Sequence, residues 1–156
     1  MLHILAGVRT GLKRLGSPDV PLVAIGYSRG GELVADYAAV ARAAGPAPAA
    51  VMSVFPAALD PADPPLDLRG IDPQALVTIL VGDRDEVVDG GGARQLVGRL
   101  AQAGFPPNRI SIDSVRSHGG FVASHLAPLE VSPAAEDAFW KPADELVARV
   151  RATAAG

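Results

Sequence analysis

Three short apolar runs and a fourth, alternating segment, separated by helical patterns or by turn-rich segments, constrain the fold of this chain most strongly. They lie at Pro21–Ile25, Ala50–Phe55, Ala75–Val81 and Arg109–Val115. Short runs that are almost wholly apolar are typical of strands covered on both faces, and strand–helix alternation is typical of a parallel sheet. We therefore predict an α/β fold with a parallel sheet of about four strands and helices on both faces.

Apolar residues at helical spacing predict the helices around these strands. The predicted helices cover residues 2–15, the segment from Gly30 to a stop at Gly45, Ala93–Leu100 and Phe139–Val150. Pro142 is expected to kink or restart the last of them, because proline disrupts a helix interior. Pro56–Pro73 holds five prolines and is predicted to be a loop that forms a pocket wall or a short cap.

Length and composition exclude several classes of function. The 156 residues, 49% of them hydrophobic and 20% charged, predict one folded domain. A net charge of -3 and the lack of a Lys/Arg stripe argue against a nucleic-acid partner. No apolar run has the length of a membrane span. The chain has no cysteine, no metal-ligand set is visible, and no cofactor or cellular compartment is indicated.

The first strand leads into a Gly-x-Ser-x-Gly motif, Gly26-Tyr27-Ser28-Arg29-Gly30. The motif alone is common, but here it stands between an apolar strand and a predicted helix. That context is typical of a nucleophile elbow, in which a tight turn exposes the serine. The helix N-terminus behind it favours negative charge at the reacting centre. A turn with a capping serine is the simpler alternative.

A serine nucleophile needs a base and an acid that orients the base. Asp83 and Asp85 follow the third strand, at the sheet edge where α/β sites form, and His118 and His125 follow the fourth. The order serine, acid, histidine is the one that a nucleophile elbow fold requires. Spacing alone does not decide between Asp83 and Asp85 as the acid, or between His118 and His125 as the base.

Two segments resemble those around the triad of α/β-hydrolases. Val81–Val88 is similar to the Gly-x-x-Asp-x-Val-Val segment that carries the acid, which makes Asp85 the acid and Asp83 a turn residue. Ser124–Pro128, Ser-His-Leu-Ala-Pro, resembles the histidine segment of bacterial cutinase-like esterases, which favours His125 over His118 as base. The resemblance implies catalytic roles for Ser28, Asp85 and His125.

The resemblance also implies what the chain should do and what it should lack. Residues 1–156 are expected to form a single α/β-hydrolase-type catalytic domain, incomplete at the N-terminus. The activity expected is hydrolysis of a small-molecule carboxylic ester through an acyl-enzyme. Arg29 N–H would supply one oxyanion donor, whereas the other normally comes from a loop that precedes the first helix. Tyr27 and His118 are candidate substrate-binding residues.

The sequence also allows three other interpretations. Asp83-Arg84-Asp85 also resembles the Asp-x-Asp of haloacid-dehalogenase-like phosphatases, but the lysines, Lys13 and Lys141, lie away from the strand ends where that chemistry needs one. The glycine-rich segments match no phosphate-binding motif. The third interpretation is a catalytically impaired module that acts through partner binding. The apolar first strand predicts an edge that seeks a partner, either in a homo-oligomer or in an N-terminal partner segment.

Overall fold

A computed structural model describes residues 2–16, 20–62 and 65–154 of the chain. Strands and helices follow one another in the order that the sequence predicts, with a proline-rich segment in place of a helix between the second and third strands. The elements are α1 (Leu2–Leu15), β1 (Val23–Tyr27), α2 (Arg29–Ala44), β2 (Ala50–Val54), β3 (Leu76–Gly82), α3 (Gly91–Gln102), β4 (Ile110–Val115), α4 (Pro133–Ala135) and α5 (Lys141–Ala154). Short 3₁₀ turns lie at Leu68–Gly70, Pro107–Arg109 and Ala127–Leu129.

The four strands form one parallel sheet in the order β1-β2-β3-β4. Ser53 of β2 pairs with Gly26 of β1 on one side and with Ile79 of β3 on the other. All the strands therefore end at the same edge of the sheet, and the residues that follow them are brought together there. The positions of β1 and β4 leave them as the two outer strands.

Helices cover both faces of the sheet, because alternate strand residues point to opposite sides. Val51, Val77 and Ile79 pack on one side against α2 and α3. Met52, Val54, Leu80 and their neighbours pack on the other side against Phe139 and α5. Helix α1 lies on α2, where Leu5 contacts Tyr37 and Ala41. The predicted fold class, a parallel sheet of four strands with helices on both faces, is confirmed.

The first strand differs from its predicted bounds. We expect Pro21–Ile25 from the apolar run, whereas the strand runs from Val23 to Tyr27. Gly26 and Tyr27 extend the ladder because they pair with Ser53 and Val54 of β2. Helix α2 follows at once, from Arg29, so Ser28 is the single residue between strand and helix.

The C-terminal helical run contains a π-helical segment ahead of its main part. A π-helical segment, Glu136–Trp140, precedes α5, and Pro142 lies in the first turn of α5. The helical backbone is continuous from residue 133 to residue 154, so Pro142 follows the π-helical segment without a break in the helix. That Pro142 kinks or restarts the helix stays a prediction. Within the described residues, no helix combines the length and apolar character needed to cross a membrane.

The proline-rich segment between β2 and β3 lies along the helix layer. Its buried residues Leu68 and Ile71 join the core beside α2, and Gly70 lies so close to the Ala39 carbonyl that a Cβ would clash. Arg99 of α3 donates a hydrogen bond to the Leu66 carbonyl at 3.0 Å. These described contacts hold the segment in the place of a crossover helix. Its role as a pocket wall or cap stays a prediction.

Candidate active site

Ser28 forms a strained turn at the carboxyl end of β1. Its φ of 55° and ψ of -120° lie outside the conformations that residues with a side chain commonly adopt. Hydrogen bonds from neighbouring backbone hold it there. Ser28 N–H donates to the Val54 carbonyl at 2.9 Å, and its carbonyl accepts from Gly31 N–H at 2.9 Å and Ala57 N–H at 3.0 Å. The turn is therefore fixed by β2, by α2 and by the start of the next loop.

The flanking glycines of the motif have different surroundings. A Cβ on Gly26 would lie 2.0 Å from the carbonyl oxygen of Gly30, a distance that no side chain can occupy. At Gly30 an added Cβ would meet no described atom within 4 Å, whereas at Gly31 it would meet Ser53 and the backbone of Val54 and Pro56 at 3.1 Å. The tight turn thus requires glycine at position 26 and favours it at position 31.

His125 lies between Ser28 and Asp85. Its Nε2 is 2.9 Å from Ser28 Oγ, and its Nδ1 is 2.8 Å from Asp85 Oδ2. An ionised carboxylate can only accept a hydrogen bond, so the imidazole proton on this side lies on Nδ1. That tautomer leaves Nε2 as an acceptor for the Ser28 hydroxyl proton. The three side chains that the sequence selects are in hydrogen-bonding contact, although their catalytic roles stay a prediction.

Asp85 is fixed in turn by the backbone that follows it. Its Oδ1 accepts hydrogen bonds from Val87 N–H at 3.0 Å and Val88 N–H at 3.2 Å. The side chain is 1% exposed, whereas that of His125 is 11% exposed. Because Oδ1 binds backbone amides, Oδ2 is left to orient the imidazole. This division of the two oxygens holds the histidine ring at a fixed angle.

Asp83 is more than the turn residue that the sequence suggests. Its carboxylate accepts hydrogen bonds from Ser117 N–H at 3.0 Å and Ser117 Oγ at 2.6 Å, and these bonds lower its pKa, with smaller effects from Arg84 and Arg116. Ser117 Oγ also accepts from Ala123 N–H at 3.0 Å. Asp83 therefore ties the turn that carries Asp85 to the loop that carries His125. Its position two residues before Asp85 is the only sequence signal of this contact.

Of the other predicted site residues, Tyr27 and Arg29 flank Ser28 in the chain, whereas no described contact joins His118 to Ser28, Asp85 or His125. Arg29 is the first residue of α2, as an oxyanion donor that follows the nucleophile must be. Tyr27 contacts His125, with its hydroxyl 2.6 Å from the His125 carbonyl. His118 is exposed in a small turn in which its backbone bonds to Phe121, and its ring lies 5.7 Å from that of Phe121. Binding of substrate by Tyr27 and His118, and of an oxyanion by Arg29, stays a prediction. Among residues 2–16, 20–62 and 65–154 no acidic and histidine side chains cluster as a metal site.

The structure is similar to those of several hydrolases. A candidate dienelactone hydrolase from Klebsiella pneumoniae matches with a TM-score of 0.61 at 18% identity, over 92% of this chain and 58% of that one. MGS-M1, an alpha/beta hydrolase enzyme from a Medee basin deep-sea metagenome, matches with a TM-score of 0.55 at 19% identity, over 82% and 53%. The Bacillus cereus carboxylesterase matches with a TM-score of 0.51 at 16% identity, over 88% and 56%.

These similarities confirm the predicted α/β-hydrolase fold. The chain spans a little more than half the length of the solved structures that it matches. The sequence itself matches no protein-family model and no curated protein. Identities this low establish a shared fold, and activity has to be argued from the site.

Proposed function

We propose that this chain, which has the α/β-hydrolase fold, is a serine hydrolase that cleaves small-molecule carboxylic esters through an acyl-enzyme. The observation that carries the proposal is the continuous contact from Ser28 Oγ through His125 to Asp85, at 2.9 and 2.8 Å. It arises at the carboxyl edge of a parallel sheet, from a serine on a strained strand-to-helix turn. That combination is what acyl transfer by serine requires.

The proposed reaction has two halves, acylation and deacylation, and each half uses all three side chains. Ser28 Oγ attacks the ester carbonyl carbon while its proton passes to His125 Nε2. The carbon–oxygen bond to the alcohol then breaks, and the alcohol leaves with that proton. Water attacks the acyl-serine with His125 again as base, and the acid product leaves as Ser28 recovers its proton. Asp85 keeps the imidazole in the tautomer that accepts at Nε2 and stabilises its positive charge.

The negative charge on the carbonyl oxygen needs donors of its own. We propose the Arg29 backbone N–H as one, because it follows the nucleophile at the start of α2 and the helix N-terminus carries partial positive charge. A second donor in related folds comes from a loop before the first helix, as noted above. Loss of one such donor typically costs about 10²–10³ in rate.

Stopped-flow hydrolysis of p-nitrophenyl acetate tests the proposed function. Acylation faster than deacylation should release an initial burst of p-nitrophenolate close to one equivalent per chain, followed by a slower steady rate. Ser28→Ala is the matched control and should give neither phase above background. Turnover that persists in Ser28→Ala would contradict an acyl-serine, and a folded wild type without turnover would favour the non-catalytic alternative.

We further propose that the outer edge of β1 pairs with a strand from a second copy of the chain or from an N-terminal partner segment. Ile25 in the middle of β1 is 49% exposed, and it lines an apolar groove with Ile4, Val8 and Leu33. The opposite edge differs, because β4 carries exposed Asp113, a charge that opposes strand addition. Of the two outer strands that the structure describes, β1 is therefore the one without a charged residue.

The edge proposal predicts a dimer that a charge on β1 disrupts. Light scattering at micromolar concentration should give twice the 15.9 kDa mass of the chain, and Ile25→Lys should reduce it to the monomer. Ile112→Lys is the matched control, because Ile112 lies on β4 and is similarly exposed, at 53%. A stable wild-type monomer with normal ester turnover would refute pairing. A monomer that dimerises or gains activity only with an added N-terminal segment would identify that segment as the partner.

A further inference from the structure

Tyr27, the residue directly before Ser28, contacts both the backbone and the ring of His125. Its hydroxyl donates to the His125 carbonyl at 2.6 Å, and its ring centroid lies 5.1 Å from that of the imidazole, with the planes tilted by 36°. The two residues are 98 positions apart in sequence. Backbone and ring of the histidine are thus both held by the last residue of β1.

This contact matters because His125 lies outside the regular elements. It stands between β4 and the 3₁₀ turn at Ala127–Leu129. Asp85 holds the imidazole at Nδ1, but a hydrogen bond at one ring atom does not fix the backbone. Tyr27 supplies a second fixed point, on the backbone of His125 itself. Since Tyr27 belongs to the sheet and directly precedes Ser28, this point moves with the nucleophile.

The chemistry of the phenol suits a permanent donor. Burial raises the pKa of Tyr27 above its ordinary value, and the negative charge of Asp85 raises it further. The hydroxyl therefore keeps its proton at neutral and moderately alkaline pH. A phenylalanine would preserve the ring against the imidazole but lose the bond to the carbonyl. Because the hydroxyl already donates its proton to the His125 carbonyl, it is less suited to bind a substrate than the sequence suggests.

We infer that Tyr27 is a positioning residue that sets the distance between His125 Nε2 and Ser28 Oγ through its hydrogen bond to the His125 carbonyl. The expected effect on rate rests on the proposed function, whereas the contact between Tyr27 and His125 is independent of it. A displacement of about 1 Å in a reacting group can cost about 10² in rate. The loss of this one hydrogen bond should therefore lower the rate of the chemical step while leaving substrate affinity nearly unchanged.

The test compares Tyr27→Phe with Tyr37→Phe. Tyr37 is the matched control, because its hydroxyl also donates to a backbone carbonyl, that of Pro46, at 2.7 Å, and its pKa is also raised by burial. It contacts α1 and the end of α2 instead of the site. Tyr27→Phe should lower kcat about 10- to 100-fold with KM within about two-fold, whereas Tyr37→Phe should leave both unchanged.

A second measurement separates this inference from the proposed function. In protein with ¹⁵N-labelled histidine, the His125 Nδ1–H bonded to Asp85 should give a low-field proton signal, and with three histidines in the chain it is assignable by substitution. Tyr27→Phe should broaden or shift that signal and Tyr37→Phe should not. Wild-type kcat and signal in Tyr27→Phe, or equal effects of both variants, would overturn the inference. If the wild type hydrolyses no ester, the proposed function fails, and the signal alone decides the positioning role.

Discussion

Replacing His125 by alanine should lower kcat for ester hydrolysis by about 10⁴- to 10⁶-fold, because in the proposed mechanism His125 activates the serine. The expectation follows from the 2.9 Å contact between His125 Nε2 and Ser28 Oγ. No other histidine is hydrogen-bonded to Ser28 among the residues that the structure describes. The measurement is kcat on p-nitrophenyl acetate, with circular dichroism to confirm that the variant is folded.

His118→Ala is the control for this substitution. Both histidines follow β4 and both were candidates for the base, but His118 is exposed and contacts Phe121. Its replacement should change kcat by less than about ten-fold, an effect of the size expected for a substrate contact at most. A reversal, with His118→Ala inactive and His125→Ala near the wild-type rate, would overturn the assignment of the base.

Gly26→Ala should destabilise the protein by about 3 kcal/mol or more, at the upper end of what overpacking costs. The added Cβ would lie 2.0 Å from the Gly30 carbonyl oxygen and 2.8 Å from Val34 Cγ1, so backbone has to move. In a protein of this size each kcal/mol corresponds to about 2–4 °C in Tm. We therefore expect a Tm at least about 6 °C lower by calorimetry, together with a loss of activity as Ser28 shifts.

Gly30→Ala provides the opposite expectation within the same motif. An added Cβ meets no described atom within 4 Å, and Gly30 lies in the first turn of α2, where alanine is favoured over glycine by at most the roughly 0.8–1 kcal/mol of a helix interior. The variant should be as stable as the wild type or up to about 1 kcal/mol more stable. A Tm loss as large as that of Gly26→Ala would mean that a further part of the protein or a partner occupies the space beside Gly30.

The fold was predictable because each element has a strong local pattern. The apolar runs of β2 and β3 are buried on both faces, and burial of this kind leaves a clear signal in sequence. The shift of β1 to Val23–Tyr27 was not predictable, because Gly26 favours a turn locally. Only the ladder with β2, a tertiary contact, keeps it in the strand. The π-helical turn at Glu136–Trp140 has no local sequence signal that we recognise.

The sequence predicted the reactive side chains of the site but not the contacts that support them. Motif context singled out Ser28, Asp85 and His125, and the structure brings these side chains together. The supporting contacts were not predictable, because they depend on where loops meet. Asp83 binds Ser117 at a separation of 34 residues, and Tyr27 binds a backbone carbonyl that every residue possesses. Such long-range pairs cannot be inferred from the spacing of residues in the sequence.

The central claim, that Ser28 is the nucleophile of an acyl-transfer site, is tested most directly by intact-mass spectrometry after reaction with a fluorophosphonate. We expect one phosphonyl group per wild-type chain, located on Ser28 by peptide sequencing. Ser28→Ala should remain unlabelled, and His125→Ala should be labelled far more slowly. A folded wild-type chain that gains no mass, or one labelled at another residue, would contradict the claim.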